Sequence, residues 1–347
     1  MGHIVIVPQP FAERKWSRLA TGWKMAAVLC GAVLFPSAGL PAEESPKPSK
    51  ILTPGNHYLA VKMEERDRHY IAHVPPTYDV TRPMPVVIML HRGSGSARNA
   101  MLETAWTRKA DTSGFLAVFP EGTSLDPSEP PRAVGNPRTW NDGSGRFASE
   151  QFKSAEYEMD DVAFVNALID DLVARFTVDG RRVFVTGFSD GASMAFRLGV
   201  ELANRIAAVA PVSGYLWLKN PKLSRPVSLL YMVGSNDPFV PLDGGKVRVP
   251  WVGPEKRPPV RESVLKWAEM LGCPPERKVF RDSNGVKVTA YGPGRNGSEA
   301  VFYIVEGMGH TWPGGKRLLP ERLVGKTTNK IKANDVIWEF FQKHPKR

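Results

Sequence analysis

The sequence predicts an α/β fold: a single domain built on a mostly parallel sheet with helices on both faces. Three observations predict it. Short uninterrupted apolar runs, such as residues 85–90 (PVVIML), 115–119 (FLAVF) and 207–212 (AAVAPV), have the length and apolarity of strands covered on both sides. Longer stretches with apolar residues at i, i+3 and i+4 alternate with them. Finally, Gly-rich segments follow several of the runs, where a chain leaving a strand must turn. The 347 residues are 42% hydrophobic and show no internal repeat, no low-complexity tract and no second linker. That places the chain at the upper end of a single core.

The elements follow in order. Residues 25–35 (MAAVLCGAVLF) are apolar and uncharged, with Arg14, Lys15, Arg18 and Lys24 before them and small residues after them. This reads as a secretory signal over residues 1–42, cleaved between Ala38 and Ala42, and the run is too short for a permanent membrane span. Residues 43–55 are rich in Pro, Ser and Lys and read as a linker, so the single folded domain is expected over 56–347. β-rich stretches at 58–62 and 69–74 precede the strands at 85–90 and 115–119, with a helix at 99–111 between the latter two. A Pro/Gly/Asn-rich loop covers 121–158, long enough to suggest a functional role. Residues 160–176 (DDVAFVNALIDDLVARF) have helical spacing with acids in the first turn. Strands at 182–186, 207–212, 228–233 and 301–305 and helices at 191–202, 261–271 and 335–341 complete the alternation.

Composition narrows the function classes. Lys+Arg exceed Asp+Glu by 46 to 35, and removal of the leader leaves about +8 of the formal +11. Much of the excess lies after Gly315 without an interleaved aromatic platform, which argues for a solvated face and against a nucleic-acid groove. Of the two Cys, Cys30 leaves with the leader and Cys273 stays alone, so no internal disulfide is expected. Neither a cofactor nor a metal is expected: Asp160, Asp161, Asp170 and Asp171 read as first-turn and solvent-face acids of one helix.

The chemistry concentrates at Gly187-Phe188-Ser189-Asp190-Gly191, between the strand RRVFVT and the helix GASMAFRL. A sharp strand-to-helix turn holds a serine clear of the backbone only when small residues flank it. Ser189 then stands at a helix N-terminus, which favours a developing oxyanion. A serine nucleophile needs a base, and the base needs an acid to orient it. Of the histidines left after cleavage (His57, His69, His73, His91, His310 and His344), His310 is the candidate base: it lies in a Gly-rich loop, EGMGHTWPGG, directly after the strand VFYIV. Asp237 lies between Ser189 and His310 in VGSNDPFVPLDGG, again past a strand end; Asp243 and Glu306 are alternative acids. The loop His91-Arg92-Gly93-Ser94-Gly95 follows the strand PVVIML. It can turn a backbone N–H toward the serine and, with the N–H of Asp190, form an oxyanion hole. Trp140 and Trp312 lie in loops near these motifs and are expected to wall the substrate pocket, whereas Trp106, Trp267 and Trp338 have core spacing.

Taken together, LHRGSGSARN, DDVAFVNALIDDL, RVFVTGFSDGASMAFRL, AAVAPVSG, GSNDPFVPLDGG and GMGHTWPGG resemble the poly(3-hydroxybutyrate) depolymerase/feruloyl esterase-like secreted α/β-hydrolases. The resemblance implies an α/β-hydrolase fold without a separate cap domain. It also implies Ser189 as nucleophile, Asp237 as acid, His310 as base, and Gly93 and Asp190 as oxyanion donors. Arg92 departs from the pattern, which has glycine there, and could lean over the site and bind an anionic ester. The expected activity is hydrolysis of short acyl, hydroxyalkanoate-oligomer or hydroxycinnamoyl esters by an exported enzyme. A peptidase or thioesterase with the same residues, or a non-catalytic binding protein of the same fold, is the alternative.

Overall fold

Alternate residues of a strand face opposite sides of a sheet, so a run that is apolar throughout demands cover on both. The computed structural model describes residues 50–64, 66–145, 160–249, 253–274 and 278–347. The expected signal segment and the start of the linker lie outside them. In chain order the strands are β1 (Gly55–Lys62), β2 (Asp67–Val74), β3 (Met84–Leu90), β4 (Leu116–Pro120), β5 (Thr123–Ser124), β6 (Arg138–Thr139) and β7 (Val178–Phe188). They continue as β8 (Ala208–Val212), β9 (Ser228–Gly234), β10 (Gly245–Val249), β11 (Gly253–Arg257), β12 (Lys278–Ser283), β13 (Val286–Tyr291) and β14 (Ala300–Val305). The helices are α1 (Ala97–Thr104), α2 (Trp106–Ser113), α3 (Asp161–Arg175), α4 (Asp190–Glu201), α5 (Val260–Leu271), α6 (Glu321–Val324) and α7 (Ala333–Lys343).

Ten strands form one sheet in the order β1-β2-β4-β3-β7-β8-β9-β14-β13-β12. The six central strands, from β4 to β14, pair in parallel, while β1, β2, β12 and β13 extend the edges antiparallel. Val86, Ile88 and Leu90 of β3 pack with Phe164 and Leu168 of α3, Phe196 of α4 and Trp267 of α5. Val87 and Met89 turn to the other side and meet Trp106 and Ala110 around α2 and Trp338 and Phe341 of α7. Each such side chain contributes about 1.5–3 kcal/mol through burial, so the two-sided apolarity of the runs specifies this sandwich. Trp106, Trp267 and Trp338 are core residues, as their spacing predicts.

The structure refines several expectations. The single helix expected at 99–111 is two, because Ala105 adopts a left-handed φ of 55° between α1 and α2. The carbonyls freed at that break are taken up from elsewhere: Lys316 N–H donates to Glu103 O and Asn334 Nδ2 to Thr104 O. Asp161 is a first-turn acid of α3, as expected, but it is not exposed, and Asp171 is not a solvent-face acid. Asp161 is buried against Arg68 at 2.6 Å, and Asp171 accepts from the Tyr70 hydroxyl, whose pKa burial and this carboxylate raise. The last linker residues are tied down, with Ile51 N–H donating to Arg175 O and Lys50 Nζ to Val173 O. Among the described residues, no helix is long and apolar enough to cross a membrane.

Candidate active site

Strands β3, β7, β9 and β14 run the same way, so the loops that follow them gather at one edge of the sheet. The loop after β7 is the tightest. Ser189 has φ 58° and ψ −118°, a conformation rare for a residue with a side chain. The flanking glycines permit it: a Cβ on Gly187 would sit 2.1 Å from Gly191 O, and one on Gly191 would sit 2.4 Å from Leu90 O. Ser189 N–H donates to Val212 O at 3.0 Å, tying the strained residue to the neighbouring strand. Helix α4 begins at the next residue and points its N-terminus into the site.

Asp237 follows β9, and its Oδ1 accepts from the N–H groups of Phe239 and Val240, both at 2.9 Å, which fixes the carboxylate. His310 follows β14. Its Nδ1 lies 2.8 Å from Asp237 Oδ2 and 3.0 Å from Oδ1, with both side chains buried. An ionised carboxylate only accepts, so Nδ1 carries the proton and Nε2 is left as the basic nitrogen. The ring stacks on Phe188 at 4.8 Å and meets Phe239 edge-on at 5.1 Å, so its plane is held from both sides. The loops that carry Asp237 and His310 are stitched together by Asn236 N–H to Met308 O and Gly307 N–H to Ser235 Oγ, each at 2.9 Å. Of the alternative acids, Asp243 lines a different groove and Glu306 lies beside Gly285.

The loop after β3 is built around a buried histidine. His91 Nδ1–H donates to Arg92 O at 2.7 Å, and Nε2 accepts Gly122 N–H at 2.8 Å. Burial pushes this imidazole down to about 4, so it is neutral with the proton on Nδ1. Glu121 Oε1, 3.7 Å from Nε2, is engaged instead by Arg138 at 3.1 Å. Gly95 N–H also donates to Arg92 O, at 3.0 Å. With the Arg92 carbonyl held by two donors, the trans peptide sends the Gly93 N–H in the opposite direction.

One cavity receives these groups. Ser189, His310, Arg92, Gly93 and Asp190 line it, with Asp237 directly behind His310. Ser193, Ser213, Tyr215, Phe239, Val240, and Val249 and Arg257 of the β10–β11 hairpin complete much of its wall. Arg92 is buried; its Nη1–H donates to Gly93 O at 3.1 Å, and its Nε lies 3.4 Å from Glu103 Oε2. Burial raises the Glu103 pKa, while Arg92 and His310 pull it down. The two tryptophans expected in the pocket are not among its lining. Trp140 is fully buried behind the loop after β3, donating Nε1–H to His91 O at 2.9 Å, its ring 4.9 Å from the imidazole. Trp312 packs on Trp106 and Phe188 and donates to Asn334 Oδ1 at 2.8 Å. Both indoles need a partner for N–H as well as cover for their rings, and they find the two in the core. Glu103, Arg257 and Ser213 were missed by sequence reasoning. No motif marks them, although an acid in an otherwise core-spaced helix was a faint signal for Glu103.

This fold, with a strained serine at the strand-to-helix turn and a buried His–Asp pair at the same sheet edge, defines an α/β-hydrolase. Residues 68–239 match the family model of esterase PHB depolymerases, and the chain belongs to that family as a carboxylic ester hydrolase. It is 27% identical over 292 residues to "Putative esterase NocK" of Nocardia uniformis subsp. tsuyamanensis, covering 79% of each chain. It is 26% identical over 254 residues to feruloyl esterase B of Piromyces equi, covering 72% of this chain and 44% of that one. In fold it is similar to an acetyl xylan esterase from Aspergillus awamori, with a TM-score of 0.53 at 14% identity, covering 83% of this chain and 99% of that one.

Proposed function

We propose that this chain is an exported serine esterase working through an acyl-enzyme, with Ser189, His310 and Asp237 as its triad. The observation that carries the reading is the buried His310–Asp237 pair at 2.8 Å, facing the same cavity as a serine in a strained turn at a helix N-terminus. His310 Nε2 takes the Ser189 hydroxyl proton as Oγ attacks the ester carbonyl, and Asp237 stabilises the imidazolium. The developing oxyanion accepts from the N–H groups of Gly93 and Asp190. His310 then returns the proton to the leaving alcohol, and water repeats the cycle on the acyl-enzyme. The substrates are short acyl, hydroxyalkanoate-oligomer or hydroxycinnamoyl esters, a range supported by relatives named esterase and feruloyl esterase. The charged, then apolar, then small-residue N-terminal segment supports export.

The test is a panel of 4-nitrophenyl esters, methyl ferulate, hydroxybutyrate oligomers and peptide amides, run on the wild type and on Ser189→Ala. Ester turnover that falls about 10⁴-fold or more in the variant is the expected result. Near-normal hydrolysis by Ser189→Ala would remove the assignment, and activity confined to amides would make the protein a peptidase. Labelling of Ser189 by a fluorophosphonate excludes a non-catalytic binding protein.

A further inference from the structure

Hydrolysis of a neutral ester needs no cation beyond the triad and the oxyanion donors, yet two guanidinium groups line this cavity. Arg92 comes from the loop after β3 and Arg257 from the end of β11, and both are buried. Each is held from behind by a carboxylate that is not part of the lining: Glu103 for Arg92 at 3.4 Å, and Glu255 for Arg257 at 2.6 Å. The Arg257 guanidinium also lies over Tyr215 and Trp217, at 5.6 and 5.4 Å from the ring centres, which fixes its plane. Among the described residues, the one carboxylate in the lining is that of Asp190, so on that part of the cavity surface cations outnumber anions.

Arg92 is the sharper case. A guanidinium has five N–H donors in a fixed fork, and burying donors without acceptors is unfavourable. Among the described residues Arg92 makes a single hydrogen bond, from Nη1 to Gly93 O at 3.1 Å. Its Nε is buried without a hydrogen-bond acceptor, being near Glu103 only as an ion pair. A fork of this shape matches a carboxylate bidentately, and water is scarce where the side chain lies.

We propose that Arg92 is a specificity-determining residue that receives a carboxylate of the substrate, with Arg257 as a second cationic wall. The preferred substrates of this site are then esters that carry a free carboxylate on the acyl or the alcohol portion. The proposal rests on the esterase reading above. It differs from a purely structural role for Arg92, in which the bond to Gly93 O merely latches the loop.

Matched substrate pairs separate the two roles. On the alcohol side the pair is 4-butyryloxybenzoate and its carboxamide. On the acyl side it is the mono-4-nitrophenyl ester of adipic acid and the corresponding 5-carbamoylpentanoate. Each kcat/KM is normalised to the ester's own hydroxide-catalysed rate. The wild type should favour the carboxylate member of at least one pair by about ten- to a hundredfold, the range for a charge-assisted hydrogen bond out of water. Arg92→Gly should bring that ratio close to one, and Arg92→Lys, which keeps the charge but not the fork, should retain part of it. A loop latch alone predicts that Arg92→Gly slows both members equally and leaves the ratio unchanged, which overturns the proposal. The proposal is equally overturned if the wild type hydrolyses the carboxamide members as well as or better than the carboxylates. In that case the esterase reading stands, whereas a wild type inactive on all four esters sinks both. If Arg92→Gly fails to fold, the wild-type ratio and its response to Arg257→Gln decide the matter.

Discussion

Substitution of His91 separates the two jobs of its ring. Nδ1–H holds the Arg92 carbonyl at 2.7 Å, and Nε2 accepts Gly122 N–H at 2.8 Å. Asparagine places an amide nitrogen near the position of Nδ1, and glutamine places an amide oxygen near that of Nε2. His91→Asn therefore keeps the carbonyl tether and abandons Gly122 N–H, whereas His91→Gln does the reverse. Both variants lose stability. The orphaned Gly122 N–H costs about 1–3 kcal/mol in the Asn variant, and the lost tether about 0.5–1.5 kcal/mol in the Gln variant.

Their effects on catalysis should diverge. The Arg92 carbonyl and the Gly93 N–H belong to one peptide plane, so freeing the carbonyl frees the proposed oxyanion donor. Outright loss of such a donor costs about 10²–10³ in kcat. Gly95 N–H still holds the same carbonyl at 3.0 Å, so the Gln variant should lose part of this, about 10- to 100-fold. The assay is kcat on 4-nitrophenyl butyrate beside the urea midpoint of each variant. His91→Asn should be the less stable and the more active. Wild-type kcat in His91→Gln, or a kcat that simply tracks stability across both variants, would refute the peptide-plane argument.

Three further outcomes follow from the same geometry. The His91 pKa of about 4 lies below its ordinary 6.5, so between these values the unfolded chain takes up a proton that the native chain refuses. Its contribution is complete above pH 6.5 and is lost as the pH falls toward 4, by about 3 kcal/mol; the unfolding free energy of His91→Gln should fall less steeply over that window, and equal slopes would refute the assignment. Gly187→Ala places a Cβ 2.1 Å from Gly191 O and should abolish activity with a loss of folding stability of about 3 kcal/mol or more, read by thermal melting; a stable, active variant would show that the turn is not the one described. Trp312→Phe removes the donor to Asn334 at the base of the site and should lower stability by about 1 kcal/mol with KM unchanged across several esters; a severalfold KM shift would return the indole to the pocket.

What could be read from the sequence was whatever is enforced locally. The turn at Ser189 works only with glycines two residues to either side, so its sterics are written into five consecutive letters. Two-sided burial of β3, β4, β8 and β9 is likewise written in their unbroken apolarity. Asp237 and His310 stood out because each follows a strand end in a loop of small residues. The β12–β13 hairpin also carries a local mark, since Asn284 and Gly285 both have positive φ in its two-residue turn; the mark is present in the letters, and helix–strand periodicity alone passes over it. The rest depends on partners distant in sequence. Proximity to a motif misled for Trp140 and Trp312, because an indole two residues from a catalytic-type histidine can still turn its N–H into the core. Arg92 shows the same limit from the other side. Its charge was visible as a departure from the expected glycine, but what restrains it is Glu103, an acid on α1, a helix that ends where Ala105 breaks the chain. A buried ion pair of that kind leaves no periodic trace. It gains meaning only when the structure places the guanidinium in the lining of the cavity and its carboxylate partner outside that lining.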